Sequence, residues 1–360
     1  MKEIYAHIIS FDWQSAVFAY DLGMPGFAEL DILNTGKTIK SVEATGNGRL
    51  YLDELPAETQ ICLRLRYPEG EQQLFFTTLP APQGELINQF ALIADPHISI
   101  KQENRKGRFF VESAAIGEDV VKRCAELGIK YTLWPGDITN EGYPEEYAMA
   151  AEVLKKLPQE PWLIPGNHDY GPELWQKTFG ARFWERELPG IGKVIGIDTG
   201  DKLLHEDDAL AIQKELEISG KVTILTHYQL FESPDINHVA AAAVIPSNIG
   251  DYAELMEKIS NTPSVIYAGH QNIMSVTHIG KAIQINLPQP PQYPCGWIRV
   301  RCFENGTYYT FEPISSEVLR QWSRRAGEEA ADFYGERQWR AAYRRGRFPE
   351  SCNFFLGSVK

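Results

Sequence analysis

The sequence predicts two folded parts of different class, an N-terminal all-β sandwich and then an α/β domain, with a helical tail behind them. Three observations carry this. Strand-like segments cut by turn residues fill the first ~80 residues. After Leu79-Pro80-Ala81-Pro82-Gln83-Gly84, short continuous apolar runs alternate with helix-like stretches, as in strands buried on both faces. From Ser315 onward the chain becomes rich in Arg, Trp and Tyr and reads as helical. The expected parts are 1–82, 86–314 and 315–360.

In the first part, residues 15–20 form a short apolar-rich strand, followed by the loop Gly23-Met24-Pro25-Gly26. Ala28-Glu29-Leu30-Asp31-Ile32-Leu33 alternates apolar and acidic side chains, the period of a half-buried strand, and Asn34-Thr35-Gly36 turns the chain. Ile61-Cys62-Leu63-Arg64-Leu65-Arg66 alternates in the same way. Pro68-Glu69-Gly70 breaks that run, and residues 73–78 return as its partner. Residues 51–78 resemble the last hairpin of a fibronectin type III or immunoglobulin-like sandwich, with Ile61 where many such domains place a corner tyrosine.

In the second part the apolar runs are 90–94, 131–134, 162–164, 194–197, 222–225 and 265–268. Residues 120–127, 145–157 and 209–218 have helical spacing, and Glu206-Asp207-Asp208 reads as a solvated helix start. Residues 297–302 and 307–311 form a hairpin through Glu304-Asn305-Gly306.

Composition bounds the function. The 360 residues carry 35 Lys+Arg against 48 Asp+Glu, a net charge of −13, which argues against a nucleic-acid partner because phosphate neutralisation needs basic surface. No apolar run approaches the ~18 residues of a membrane span, and no secretory signal is visible at the N-terminus. Five cysteines without a Cys-x-x-Cys predict reduced thiols, hence a cytoplasmic protein. The tail holds nine basic and six acidic residues. Arg324, Arg325 and Arg344 offer guanidinium forks suited to phosphate, although a solvated face or an oligomer contact is the plainer reading. A homo-oligomer would form through the N-terminal part or this tail.

Five of the apolar runs lead into loops carrying His, Asp or Asn: Asp95-Pro96-His97, Gly136-Asp137, Gly166-Asn167-His168-Asp169, Thr226-His227 and Gly269-His270-Gln271-Asn272. Strand-end loops bring distant residues to one sheet edge, and carboxylates mixed with imidazoles suit Mn²⁺, Fe or Zn²⁺. Glycine before Asp137, Asn167 and His270 is expected to let the backbone turn sharply. His7 and His205 match nothing and read as surface or packing residues. Asp198-Thr199, at the end of its own strand, reads as structural.

The order and content of these loops resemble the calcineurin-like metallophosphoesterases, whose pattern is Asp-x-His, Gly-Asp, Gly-Asn-His-Asp/Glu, a lone His, then Gly-His-x-His. The resemblance spans about residues 90–311 and implies a four-layer αββα sandwich. It also implies two divalent or trivalent metal ions, Mn or Fe first and Zn as the third candidate. Asp95 and His97 would bind the first ion, Asp137 would bridge, and Asn167, His227 and His270 would complete the second site. A hydroxide between the metals would attack a phosphate ester in line. His168 would serve the leaving-group oxygen, with Asp169 orienting its ring.

One slot departs from the pattern: Asn272 stands where the family has its second His, and an amide oxygen is the weaker donor. His278 or His238 could fill that gap, His278 less readily because it should point out of the next strand. Tyr143, Tyr170, Tyr228 and His238 are candidates for the pocket wall. His97 and Asn140 fit the cyclic-nucleotide and glycerophosphodiester phosphodiesterase branch better than the purple acid phosphatases, which have Asp-x-Gly and a metal-binding Tyr at those positions. The substrate would be a small phosphodiester. The alternatives are a phosphomonoesterase or nucleotide pyrophosphatase of the same fold, and a non-catalytic scaffold of that fold.

Overall fold

The computed structural model describes residues 5–22, 27–34, 37–68, 70–169, 171–233, 245–327 and 352–357. The first seven strands are β1 (Tyr5–Phe11), β2 (Ala16–Asp21), β3 (Phe27–Asn34), β4 (Lys37–Thr45), β5 (Asn47–Leu52), β6 (Gln60–Tyr67) and β7 (Gly70–Thr77). They form two sheets, β1-β2-β5 and β4-β3-β6-β7. On β6, Ile61, Leu63 and Leu65 are buried and face Phe18 and Phe76 in one core, the inward set that its period of two predicts.

The larger part holds two six-stranded sheets. One contains β8 (Asn88–Leu92), β9 (Tyr131–Pro135) and β10 (Trp162–Ile164). The helices α1 (Ser113–Glu126), α2 (Pro144–Leu154) and α3 (Pro172–Phe179) connect to or follow them. The second contains β11 (Trp184–Leu188), β12 (Gly192–Gly196), β13 (Thr223–Thr226), β14 (Val265–Ala268), β15 (Ser275–Ile279) and β16 (Ala282–Asn286). Its helices are α4 (Glu206–Ser219) and α5 (Ala253–Ser260). The hairpin β17 (Gly296–Phe303) and β18 (Gly306–Pro313) returns to the first sheet, which a last strand, β19 (Phe354–Gly357), completes in the order β10-β9-β8-β17-β18-β19. The second sheet runs β11-β12-β13-β14-β16-β15.

Residues of β8 and the two that follow it alternate between two cores. Phe90, Leu92 and Ala94 pack between the sheets with Leu225, Tyr267 and Ile285. Ala91 and Ile93 pack outward against Ile116 and Val120 of α1 and Tyr147 of α2. Ile212 and Leu216 of α4 and Ile259 of α5 cover the outer face of the second sheet. Helix, sheet, sheet, helix is the expected four-layer order.

The tail differs in part from its sequence reading. The helix α6 (Glu317–Arg325) opens it, capped by the Ser316 hydroxyl accepting from Leu319 N at 3.3 Å. It ends in a strand, β19 (Phe354–Gly357), added antiparallel to β18. Arg325 pairs with Asp21 of the sandwich, and Arg324 Nε donates to Gln321. Arg344 lies outside the described residues. His7 is buried, the packing rather than the surface alternative of its reading: Arg320 Nη2 lies 2.6 Å from its Nε2 and ties α6 to the sandwich. Trp13 joins the two parts, its ring edge-on to Tyr308 at 5.1 Å and under the Arg301 guanidinium at 4.2 Å. Asp208 is 3% exposed, so the start of α4 is less solvated than its sequence suggests. Among the described residues no disulfide forms and no helix is long and apolar enough to cross a membrane.

Candidate metal centre

β8, β9 and β10 run parallel, as do β12, β13, β14 and β16, so within each sheet the loops leave from one edge. β8 delivers Asp95 and His97, β9 Asp137, β10 Asn167–Asp169, β13 His227, and β14 His270 and Asn272. The two sheet edges meet here. His270 N, from the second sheet, donates to both Asp95 oxygens at 3.1 Å, while His97 N donates to the Asp137 carbonyl at 3.0 Å.

The backbone of this rim is unusual. Asp95, His97, Asp137, His270 and Asn272 all have φ between +43° and +63°. That region costs an L-residue about 1–2 kcal/mol, so five of the ten such non-glycine residues among the described ones falling here mark a site where position outweighs local comfort. The preceding glycines act differently from expectation. Gly136 does turn at φ +88°, but Gly166 and Gly269 have ordinary φ and are required for space. A Cβ on Gly166 would overlap the Asp137 carboxylate and lie 2.8 Å from His227 Cε1.

Two groups of candidate donors share one carboxylate. His97, Asp137 and His168 form one, and Asp137, His227 and His270 the other, with ligand atoms in each within 4.8 Å of one another. The atoms fit a cation. His97 is 1% exposed, yet neither ring nitrogen has a hydrogen-bond partner; its Nε2 lies 3.6 Å from Asp137 and 4.0 Å from Asp95. His227 Nδ1 sits 2.9 Å from the Pro135 carbonyl, which can only accept. A neutral ring therefore turns its Nε2 lone pair toward Asn167 Oδ1 at 2.9 Å and Asp137 Oδ1 at 3.4 Å. Acceptors facing acceptors need a positive ion between them. Asn272 completes the picture: its Nδ2 donates to the His270 carbonyl at 3.0 Å, leaving a buried Oδ1 with no partner.

Electrostatics agree. Burial, then the charge of Asp137, pushes Asp95 well above the carboxylate range. Burial also works to raise Asp137, but the imidazoles of His227, His168 and His97 hold it far below that range. Burial, then the Arg108 charge, lowers His97, and burial lowers His227, so both rings are held neutral and able to ligate.

The calcineurin-like phosphoesterase profile matches residues 89–274, just over half of the chain. The chain belongs to that family. Glycerophosphodiester phosphodiesterase GpdQ of Enterobacter lignolyticus is 26% identical over 253 residues, covering 64% of this chain and 86% of that protein. A probable glycerophosphodiester phosphodiesterase GpdQ of Arcobacter nitrofigilis is 25% identical over 178 residues, covering 44% of this chain and 62%, less than two thirds, of that protein. A dimetal phosphatase from Danio rerio matches in structure with a TM-score of 0.53 at 12% identity, over 63% of this chain and 96% of that one, a likeness of fold alone.

Within this calcineurin-like site, several residues stand apart from their expected places. Asp169 does not hold the His168 ring. Its carboxylate accepts from the N–H groups of Ile138, Thr139 and Gly166 and from the Thr139 hydroxyl, so it ties the Asp137 loop to its own. Burial, then Asp137, raises it to about 7. The ring is held instead by the Asn140 carbonyl, 2.5 Å from His168 Nδ1. Its edge meets His97 with centroids 4.9 Å apart. Tyr228 is buried and its ring packs tilted against His270 with centroids 4.2 Å apart, which makes it a support for that candidate ligand rather than an open wall. Tyr143 is 50% exposed before α2. Tyr170 and His238 lie outside the described residues. His278 is exposed on β15, pointing outward as its strand position predicts. Asp198 pairs with Arg182 at 2.7 Å, and the Thr199 hydroxyl accepts from Tyr228 N at 2.9 Å.

Proposed function

We propose that this protein hydrolyses a small phosphodiester with the help of two bound metal ions, Mn or Fe first and Zn as the third candidate. The observation that carries this is the pair of donor groups sharing Asp137. The named activity of the Enterobacter lignolyticus relative supports the diester over a monoester. Asp95, His97, Asp137 and Asn272 would hold one ion; Asp137, Asn167, His227 and His270 the other. When bound, such ions supply Lewis acidity at phosphoryl oxygens and a water that ionises near neutral pH.

The chain's own groups do the remaining work. His168 donates from Nδ1 to the Asn140 carbonyl, which leaves Nε2 as the atom that takes or gives a proton beside the leaving-group oxygen. Asp169 is a positioning residue that fixes the loop carrying Asp137. Tyr228 and the Pro135 carbonyl orient His270 and His227, as outer partners of ligands commonly do.

The test is turnover of bis-p-nitrophenyl phosphate and p-nitrophenyl phosphate by chelator-stripped protein reloaded with Mn²⁺, Fe²⁺ or Zn²⁺. Metal-dependent turnover with the diester preferred is expected. His168→Ala should lower kcat by about 100-fold or more at unchanged metal content. Bound Mn²⁺ with no turnover, and no effect of His168→Ala, would overturn the reading.

A further inference from the structure

Beside the Asp95 and His97 loop lies a cation that none of the preceding roles uses. Arg108 is 8% exposed, and its guanidinium makes no hydrogen bond or ion pair with any described residue; Nε is buried without a partner. Its position is fixed from three sides. Its backbone closes a tight turn with Arg105, N to O at 2.8 Å, and bridges to Gln292. Phe109 N donates to the Pro291 carbonyl at 2.8 Å, and Gln292 Nε2 to the Lys106 carbonyl at 2.8 Å. Ser323 of α6 donates its hydroxyl to Gly107 O. From that mount the Arg108 charge acts on both Asp95 and His97.

A structural arginine at this depth normally pairs with a carboxylate, because an uncompensated buried charge is costly. Here the acid that feels the Arg108 charge is Asp95, one of the candidate ligand acids, and the two form no ion pair. Once dications sit on those acids, a guanidinium beside them is tenable if an anion lies between the positive charges. A guanidinium fork matches the paired oxygens of a phosphoryl group.

We propose that Arg108 binds the phosphoryl oxygens of the substrate, on the Asp95–His97 side of the centre. The inference rests on the phosphoesterase reading and deepens it. Arg108 makes a charge-assisted contact that strengthens as negative charge builds on the phosphoryl group, so it acts on binding and on turnover together.

The experiment uses inorganic phosphate as probe. Orthophosphate affinity of the full-length, Mn²⁺-loaded protein is measured by titration calorimetry for wild type, Arg108→Lys and Arg108→Met, with bound Mn²⁺ and melting temperature recorded for each. The expected result is at least tenfold weaker phosphate binding in Arg108→Met, partial recovery in Arg108→Lys, and wild-type Mn²⁺ in both. Ester turnover should fall in the same order. Unchanged phosphate affinity in folded, Mn²⁺-loaded Arg108→Met would overturn the proposal, as would a loss of affinity explained by lost Mn²⁺. Because phosphate binding is read without turnover, a wild type that binds phosphate and hydrolyses no ester would refute the phosphoesterase reading and leave the Arg108 result standing by itself.

Discussion

Replacing Gly166 by alanine tests whether the glycines of this centre are there for space. The added methyl would overlap the carboxylate and the backbone N of Asp137 and come within 2.8 Å of His227 Cε1. Asp137 cannot easily retreat, since its carbonyl receives His97 N at 3.0 Å and its Oδ1 receives His168 N at 2.8 Å. Overpacking of this kind costs about 1–3 kcal/mol, so the fold should survive with a melting point a few degrees lower. The function should not: displacing the shared carboxylate by ~1 Å is the kind of error that costs about 100-fold in rate. The assay is kcat/KM on the diester at saturating Mn²⁺, with bound metal counted by mass spectrometry. Gly250→Ala serves as control, because nothing lies within 4 Å of a Cβ there. A Gly166→Ala protein with wild-type metal content and kinetics would refute the reasoning.

Asn272→His, which restores the family's imidazole at a position whose amide oxygen is buried and unpartnered, should lower the Mn²⁺ concentration for half-maximal activity by about tenfold, about 1.4 kcal/mol; metal titration checks it. Burial raises Asp208 to about 7, so the folded protein keeps a proton that the unfolded chain releases near pH 4. Its stabilising contribution is full below that lower pKa and disappears as pH rises through 7. Asp208→Asn should therefore melt with wild type near pH 4 and above it at pH 8, by up to about 4 kcal/mol. Trp13→Ala removes the ring lodged against Tyr308, Phe303 and Arg301, and should cost about 2 kcal/mol in denaturant titration while leaving kcat of the Mn²⁺-loaded protein unchanged.

How much of this could be read in advance depended on where the determining contact lay. The runs that became β8, β9, β10, β12, β13 and β14 were legible because burial on both faces leaves an unbroken apolar signature. The polar strand β5, with mostly half-exposed side chains, carries no such mark and was missed. β19 was taken for helix because its pairing partner, β18, lies some fifty residues away and nothing local specifies the ladder. The candidate ligand residues stood out because each follows an apolar strand in a short loop. The hold on His168 did not, since the partner is the Asn140 carbonyl, and a backbone atom has no sequence signature. Arg108 was equally silent, as its relation to Asp95 is made by packing against residues 291–292 and Ser323.

The account stands or falls on Asp137 being shared by two ions. Crystals grown with Mn²⁺ and measured at the manganese absorption edge address it directly. Two anomalous peaks flanking the Asp137 carboxylate are predicted, one against Asp95 and His97 and one against Asn167, His227 and His270. No peak at Asp137, or a single ion bound away from it, would contradict the account.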